Sequence, residues 1–211
     1  MFSSKRSIFP SKRPAFYYIT DRKQLGRETL GRRIRRVIHS GVDFVQIREK
    51  DLSDRELYEL ALEARRAASG TSCRILVNGR ADIALAAGAH GVPLPAAALR
   101  ASDLRSWLPR GFLIGVSTHS VRDVRRAAAA GADYVLLGPI YPTESKLRYG
   151  LPIGLGPVRR ACRNIAIPVI GLGGILPEHV SPVRAAGAAG VAGISLFQRD
   201  SYFEKLSLRD F

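Results

Sequence analysis

A short motif recurs along the chain and constrains its fold more than any other feature. A small-residue turn leads into a brief apolar run at Ser40-Gly41-Val42-Asp43-Phe44-Val45, Ala87-Gly88-Ala89-His90-Gly91-Val92, Ala130-Gly131-Ala132-Asp133-Tyr134-Val135 and Ala186-Gly187-Ala188-Ala189-Gly190-Val191. Internal repetition of this kind marks one supersecondary unit used several times. Each copy follows a stretch of helical periodicity. The glycine can take the left-handed conformation that closes a helix. A strand that starts at once afterwards suits a tight αβ loop.

Further apolar strand candidates alternate with the copies: Phe16 to Thr20, Arg74 to Val77, Phe112 to Val116 and Ile167 to Gly171. Helical spacing of apolar residues runs through Leu25 to His39, Asp54 to Ala68, Val121 to Ala130 and Pro157 to Asn164. Ser53 ahead of Asp54-Arg55-Glu56 reads as a capping box. Short buried strands separated by helices imply a parallel sheet. About eight such units in an α/β chain of 211 residues close as a (β/α)8 TIM barrel. A doubly wound open sheet is the alternative, but no Gly-rich dinucleotide fingerprint follows the first strand. The expected organisation is a single barrel over residues 16–211. Residues 1–15 are expected to be a disordered basic tail, carrying Lys5, Arg6, Lys12 and Arg13 and no acid. That tail lacks the apolar region of a secretory signal; an organelle-targeting segment is the weaker reading.

Composition narrows the function classes. The chain is 46% hydrophobic, enough for a sizeable core, and holds no apolar run long enough to span a bilayer. Its net charge of +15 could mark a nucleic-acid binder. Much of the excess, as in Arg32-Arg33-Ile34-Arg35-Arg36 and Arg122 to Arg126, interleaves with apolar positions at helical spacing. That pattern favours a solvated helical surface. The aromatic content of 8% forms no cluster for base stacking, so no nucleic-acid partner is expected. Cys73 and Cys162 read as buried thiols of a reducing compartment, and a cytoplasmic location is expected. No Cys/His group has metal-ligand spacing.

In such a barrel the ligand side is where strands run into the following loops. Those positions hold Thr20 and Asp21, then Gln46, Arg48, Glu49 and Lys50, then Asn78 and Arg80, then Ser117, Thr118 and His119. Further along come Thr143, Glu144, Ser145 and Lys146, then Gly173, Gly174, Gly193 and Ser195. The opposite loops are mostly Ala-Gly, as a one-faced active site requires. Strand alternation puts Gln46, Arg48 and Lys50 on one side, a donor set suited to an anion. The plainer reading of that run is a solvated strand end. Glycine-rich segments after strands seven and eight suit a phosphate held by backbone N–H groups, though either alone could be a plain turn. His119 is either a structural histidine or a proton carrier. Lys146 is either a solvated lysine or a phosphate clamp.

Taken together, Tyr18-Ile19-Thr20-Asp21, Val45-Gln46-Ile47-Arg48-Glu49-Lys50, Gly115-Val116-Ser117-Thr118-His119-Ser120, Gly138 to Lys146 and Gly171-Leu172-Gly173-Gly174-Ile175 resemble the thiamine phosphate synthase and TenI superfamily, from about Tyr17 to Phe197. A synthase of that family joins a pyrimidine methyl pyrophosphate to a thiazole phosphate. The resemblance assigns Gln46, Arg48, Lys50, Asn78 and Lys146 to the pyrimidine pyrophosphate. It assigns Thr143, Ser145, Gly174 and Ser195 to the thiazole phosphate. Two departures stand out. The family's two magnesium aspartates fall at Gly79 and Ala98 here. Magnesium wants oxygen ligands, usually one or two carboxylates beside ligand phosphates.

The resemblance therefore points towards the TenI branch, a thiazole tautomerase that needs no metal or other cofactor, with His119 and Lys146 as its catalytic groups. The alternatives are a true synthase, for which magnesium would be required, and a non-catalytic binder of a thiazole phosphate. The expected partners are a small phosphorylated thiazole and, in a homo-oligomer, further copies of the chain; no membrane is expected.

Overall fold

A computed structural model describes residues 8–143 and 151–206. Eight strands, all paired in parallel, close into one barrel in sequence order. They are β1 (Ala15–Ile19), β2 (Phe44–Ile47), β3 (Arg74–Val77), β4 (Gly91–Leu94), β5 (Leu113–Thr118), β6 (Tyr134–Leu137), β7 (Val169–Leu172) and β8 (Gly190–Gly193). The helices are α1 (Leu30–His39), α2 (Asp54–Ala67), α3 (Ala81–Ala86), α4 (Ala101–Arg105), α5 (Val121–Ala129), α6 (Leu155–Asn164), α7 (Val180–Ala185), α8 (Ser195–Gln198) and α9 (Asp200–Phe203). This is the (β/α)8 TIM barrel expected from the repeat. Among the described residues no helix is long and apolar enough to cross a membrane.

The repeat glycines do what their position requires. Gly41, Gly88, Gly131 and Gly187 have φ of +96°, +64°, +84° and +98°, where a Cβ would be strained. The residue two places after three of them then closes the floor of the barrel. Asp43 Oδ2 accepts the Phe16 N–H at 2.8 Å, His90 Nδ1 accepts the Ile75 N–H at 2.9 Å, and Asp133 Oδ2 accepts the Ile114 N–H at 2.8 Å. The fourth copy has Ala189 there, with no side-chain acceptor to offer; its backbone carbonyl takes the Ala15 N–H at 2.9 Å, as the Asp43 and His90 carbonyls take the N–H groups of Arg74 and Leu113.

Alternation along the strands builds two cores. Phe16, Tyr18, Val45 and Ile47 face the helices. Tyr17, Phe44, Leu76, Leu113, Tyr134 and Ile170 fill the barrel. The capping box at Ser53 and Glu56 is present.

Two boundaries and the short helices differ from the sequence reading. The tail was expected to reach residue 15, yet Ala15 opens β1, and Phe9 is buried against Phe44 and Tyr134 with ring centroids 4.9 and 5.7 Å away. Removing such a ring from water is worth about 1.5–3 kcal/mol, and Arg13 clamps Asp43 through two bonds of 2.8 Å. Residues 8–14 are thus part of the barrel floor. The first helix starts at Leu30, because Asp21 caps a separate 3-10 turn over Arg22–Gln24 and Leu25 is extended. The short helices α3, α4, α7, α8 and α9 have no span in the sequence reading; at four to six residues each, none is long enough to show a clear period.

Candidate active site

Gln46 ends the inward row of β2 and is buried. Its Oε1 accepts the Tyr17 hydroxyl at 2.8 Å, and its Nε2 donates to Asn78 Oδ1 at 2.9 Å. The structure therefore joins two residues that the sequence placed in one site. Arg48 is half-buried just beyond the strand, its backbone N–H bound to Thr20 Oγ1 at 2.9 Å. Because β2 stops at Ile47, strand alternation does not carry to Lys50, which is exposed in the following turn.

Several polar residues at this end are occupied with structure. Glu49 is buried and accepts the Arg22 N–H at 3.1 and 3.2 Å. Asp21 caps the turn after β1 and exchanges bonds with Gln198. Thr118 donates to the Leu136 carbonyl at 3.0 Å. Arg80 is held by Asp54 and Asp82.

His119 lies just past β5, exposed, with Nδ1 2.7 Å from the Gly138 carbonyl oxygen. A carbonyl oxygen only accepts, so Nδ1 carries the proton of the neutral ring. That leaves Nε2 with a free lone pair. Ser117, half-buried, is two residues before it on the same strand.

Across the mouth, Gly173 and Gly174 have φ of +95° and +64°. A Cβ on Gly174 would stand 2.4 Å from the Pro142 carbonyl oxygen and 2.8 Å from Tyr141. The Tyr141 N–H donates to the Gly173 carbonyl at 3.0 Å. The sequence reading gave these glycines to a ligand phosphate. Their geometry also answers to close packing between the loops after β6 and β7. Gly193 ends β8, Ser195 opens α8, and Thr143 is half-buried. Glu144, Ser145 and Lys146 lie outside the described residues.

Among the described residues, the positions expected to hold magnesium lack its ligands. Gly79 and Ala98 offer no side-chain oxygen. The Arg80 guanidinium holds the Asp54 and Asp82 carboxyls below the usual carboxylate range. Asp103 caps α4, accepting the Arg100 N–H at 3.0 Å. Among the described residues no group of three or more His, Cys, Asp or Glu side chains could hold an ion. Gly79 and Ala98 thus do not supply the two carboxylates that the resemblance leads one to expect there.

Sequence reasoning missed Tyr17 and Tyr134, both fully buried beneath Gln46. The available signal was two phenols on strands at positions that alternation turns inward.

A family model described as thiamine monophosphate synthase matches residues 16–197. A Geobacter sulfurreducens protein, provisionally named thiamine-phosphate synthase, is 45% identical over 88% of this chain and 87% of its own length. A thiamine-phosphate synthase of Methanoculleus marisnigri is 40% identical, covering 85% of each chain. Among solved structures, a thiamine phosphate pyrophosphorylase from Pyrococcus furiosus superposes with a TM-score of 0.82 at 29% identity, over 93% of this chain and 94% of that one. None of these is named a tautomerase, the activity expected from the sequence. With the barrel complete and the match running through nearly all of it, the chain belongs to the thiamine monophosphate synthase family.

Proposed function

We propose that this protein is a transferase of thiamine biosynthesis that joins a pyrimidine methyl pyrophosphate to a thiazole phosphate. The observation that carries the reading is the Gln46–Asn78 amide pair, set beside Arg48 at one side of the mouth. Synthase names among the relatives favour it over the tautomerase.

In the reaction the lone pair of the thiazole nitrogen forms a bond to the pyrimidine methylene carbon. The bond from that carbon to oxygen breaks, and pyrophosphate leaves with the electron pair. Negative charge grows on the leaving oxygen. Cations fixed beside it lower the barrier without reorganising at the moment of reaction. Arg48 and Lys50 take that role, with Arg48 offering a planar fork to two oxygens. Gln46 and Asn78 orient the pyrimidine through amide hydrogen bonds. Thr143, Gly174 and Ser195 hold the thiazole phosphate on the opposite side. Ser145 and Lys146 belong to the same two sets by resemblance.

One specific observation favours a second reading. The pair Gly79 and Ala98, with the free Nε2 of His119, suits a metal-free proton transfer such as thiazole aromatisation. One experiment separates the two. Purified protein is given both synthase substrates, and separately the unaromatised thiazole carboxylate phosphate. Thiamine phosphate and pyrophosphate formed in equal amounts support the transferase. Turnover of the second substrate alone overturns it in favour of the tautomerase. Binding with turnover of neither leaves a phosphate-ligand binder. Assembly into a homo-oligomer is part of the same proposal, and sedimentation of the purified chain tests it.

A further inference from the structure

A column of polar groups runs from the floor of the barrel to its mouth in the order Tyr134, Tyr17, Gln46, Asn78. The Tyr134 and Tyr17 hydroxyls are 3.1 Å apart, Tyr17 is 2.8 Å from Gln46 Oε1, and Gln46 Nε2 is 2.9 Å from Asn78 Oδ1. Both phenols are fully buried, and Gln46 is 2% exposed. The rings are tightly placed. A Cβ on Gly115 would stand 2.2 Å from Tyr134 Cζ, so only glycine on β5 leaves room for that ring. Phe44 stacks on Tyr17 at 5.4 Å.

Such a column can run in two directions, and its lower end selects one. Among the described residues Tyr134 has a single hydrogen-bond partner for its hydroxyl, Tyr17. Were Tyr134 the acceptor, its own O–H would be buried with nowhere to donate. An unsatisfied buried group costs about 1–3 kcal/mol. Tyr134 therefore donates to Tyr17, and Tyr17 donates to Gln46 Oε1. Gln46 must then turn Nε2 towards Asn78, which accepts on Oδ1. Asn78 Nδ2 is left without a partner among the described residues. Burial raises both phenols well above their ordinary range, so they stay protonated as donors.

We propose that Tyr17 is a positioning residue that sets the polarity of the mouth, holding Gln46 so that Asn78 meets the ligand with its N–H groups and not its oxygen. The site then takes a ligand that presents an acceptor at that point, a ring nitrogen or a phosphoryl oxygen. An analogue with a donor there is refused, as sites built on buried hydrogen bonds refuse a mismatched partner. The identity of that ligand rests on the proposed function; the polarity does not.

Side-chain amide exchange, read by nitrogen-15 NMR on the full chain without ligand, tests it. Tyr17→Phe and Tyr134→Phe each remove one buried hydroxyl. Tyr17→Phe should free Gln46 to turn either way and speed exchange of its Nε2 protons about tenfold, the scale of one lost hydrogen bond. Tyr134→Phe should leave that rate within about twofold, because Tyr17 must still donate to Gln46. Equal acceleration in the two variants overturns the proposal. Should Tyr17→Phe not fold, Gln46→Glu gives an independent reading. A carboxylate can only accept, so Asn78 must turn its Nδ2 downwards, and those protons should become slow to exchange. Unchanged Asn78 exchange in that variant also overturns it. These readouts need no substrate, so loss of the synthase reading would leave them standing. Conversely, thiamine phosphate formed by a protein whose two phenol variants exchange alike would keep the synthase and remove the column's role.

Discussion

At the floor of the barrel, three strands are anchored in one way; at the mouth, no two strand ends share a set of partners. Asp43, His90 and Asp133 each sit at the start of an even strand and accept an N–H from the odd strand before it. At the other end Gln46 is tied to Tyr17 and Asn78, His119 to the Gly138 carbonyl, and Gly174 is backed by the Tyr141–Pro142 backbone. The floor performs a task common to every αβ unit, so one solution serves repeatedly. The mouth must meet a single asymmetric ligand, so each strand end is built for one place. Stability should therefore answer to the floor and ligand affinity to the mouth, and single substitutions can break that division.

The largest expected effect is also an exception to it. Gly174→Val puts a branched side chain at φ +64° and into the Tyr141–Pro142 backbone. Backbone strain and overpacking together should cost about 2–5 kcal/mol. Denaturant unfolding measures it. Stability equal to that of the unsubstituted protein would mean that the two loops can part freely, and would return Gly174 to a purely ligand-facing role.

Arg48→Ala should follow the division. Arg48 is half-buried, and no side-chain bond to it is formed within the described residues. Stability should stay within about 0.5 kcal/mol. Affinity for inorganic pyrophosphate should fall about 10- to 150-fold, the worth of hydrogen bonds to a charged group. Calorimetric titration of both proteins checks it; equal affinities would remove Arg48 from the site.

Asp133→Ala is the converse. It strands the Ile114 N–H and takes from Arg105 a carboxylate 2.6 Å away. The expected loss is about 1–3 kcal/mol in stability, with pyrophosphate affinity unchanged. Asp133→Asn keeps an acceptor for Ile114 and should recover part of it. A variant with lost affinity and intact stability would show that the floor and the mouth are not separable.

The same division explains what the sequence made legible. The floor could be read because its motif repeats: Gly41, Gly88, Gly131 and Gly187 announce the αβ turns, and they fix the strand count and the barrel. The acceptor role of the residue that follows was not read, since Asp, His and Ala look unalike until a common partner is seen. At the mouth the positions of Gln46, Asn78 and His119 were legible from strand ends alone. Their bonds were not. The Tyr17–Gln46 contact joins residues on neighbouring strands, and register appears only when the sheet is closed. Phe9 was missed because a charge-rich segment hides one aromatic ring that the open floor can bury.

The smallest expected effect separates His90 from its two aspartate counterparts. All three accept a backbone N–H, but only an imidazole must stay neutral to do so. Burial, and then the charges of Arg65 and Arg74, lower the His90 pKa from 6.5 to about 4. The unfolded chain takes up that proton near the ordinary value, the folded chain only near 4. Between the two the unfolded state binds more protons, so stability falls as pH drops from about 6.5 to about 4 and is fully present above that window. For a fully buried group the loss would be about 3 kcal/mol. His90 is only half-buried, and solvent screening reduces the expectation to about 1–2 kcal/mol. His90→Asn keeps an acceptor for the Ile75 N–H and cannot titrate. Urea midpoints at pH 7 and pH 4.5 should converge in that variant more than in the parent. Carboxylates that titrate in the same range, shared by both proteins, cancel in the comparison. If the two proteins lose stability in parallel, the imidazole is protonated without cost, and Ile75 has another acceptor.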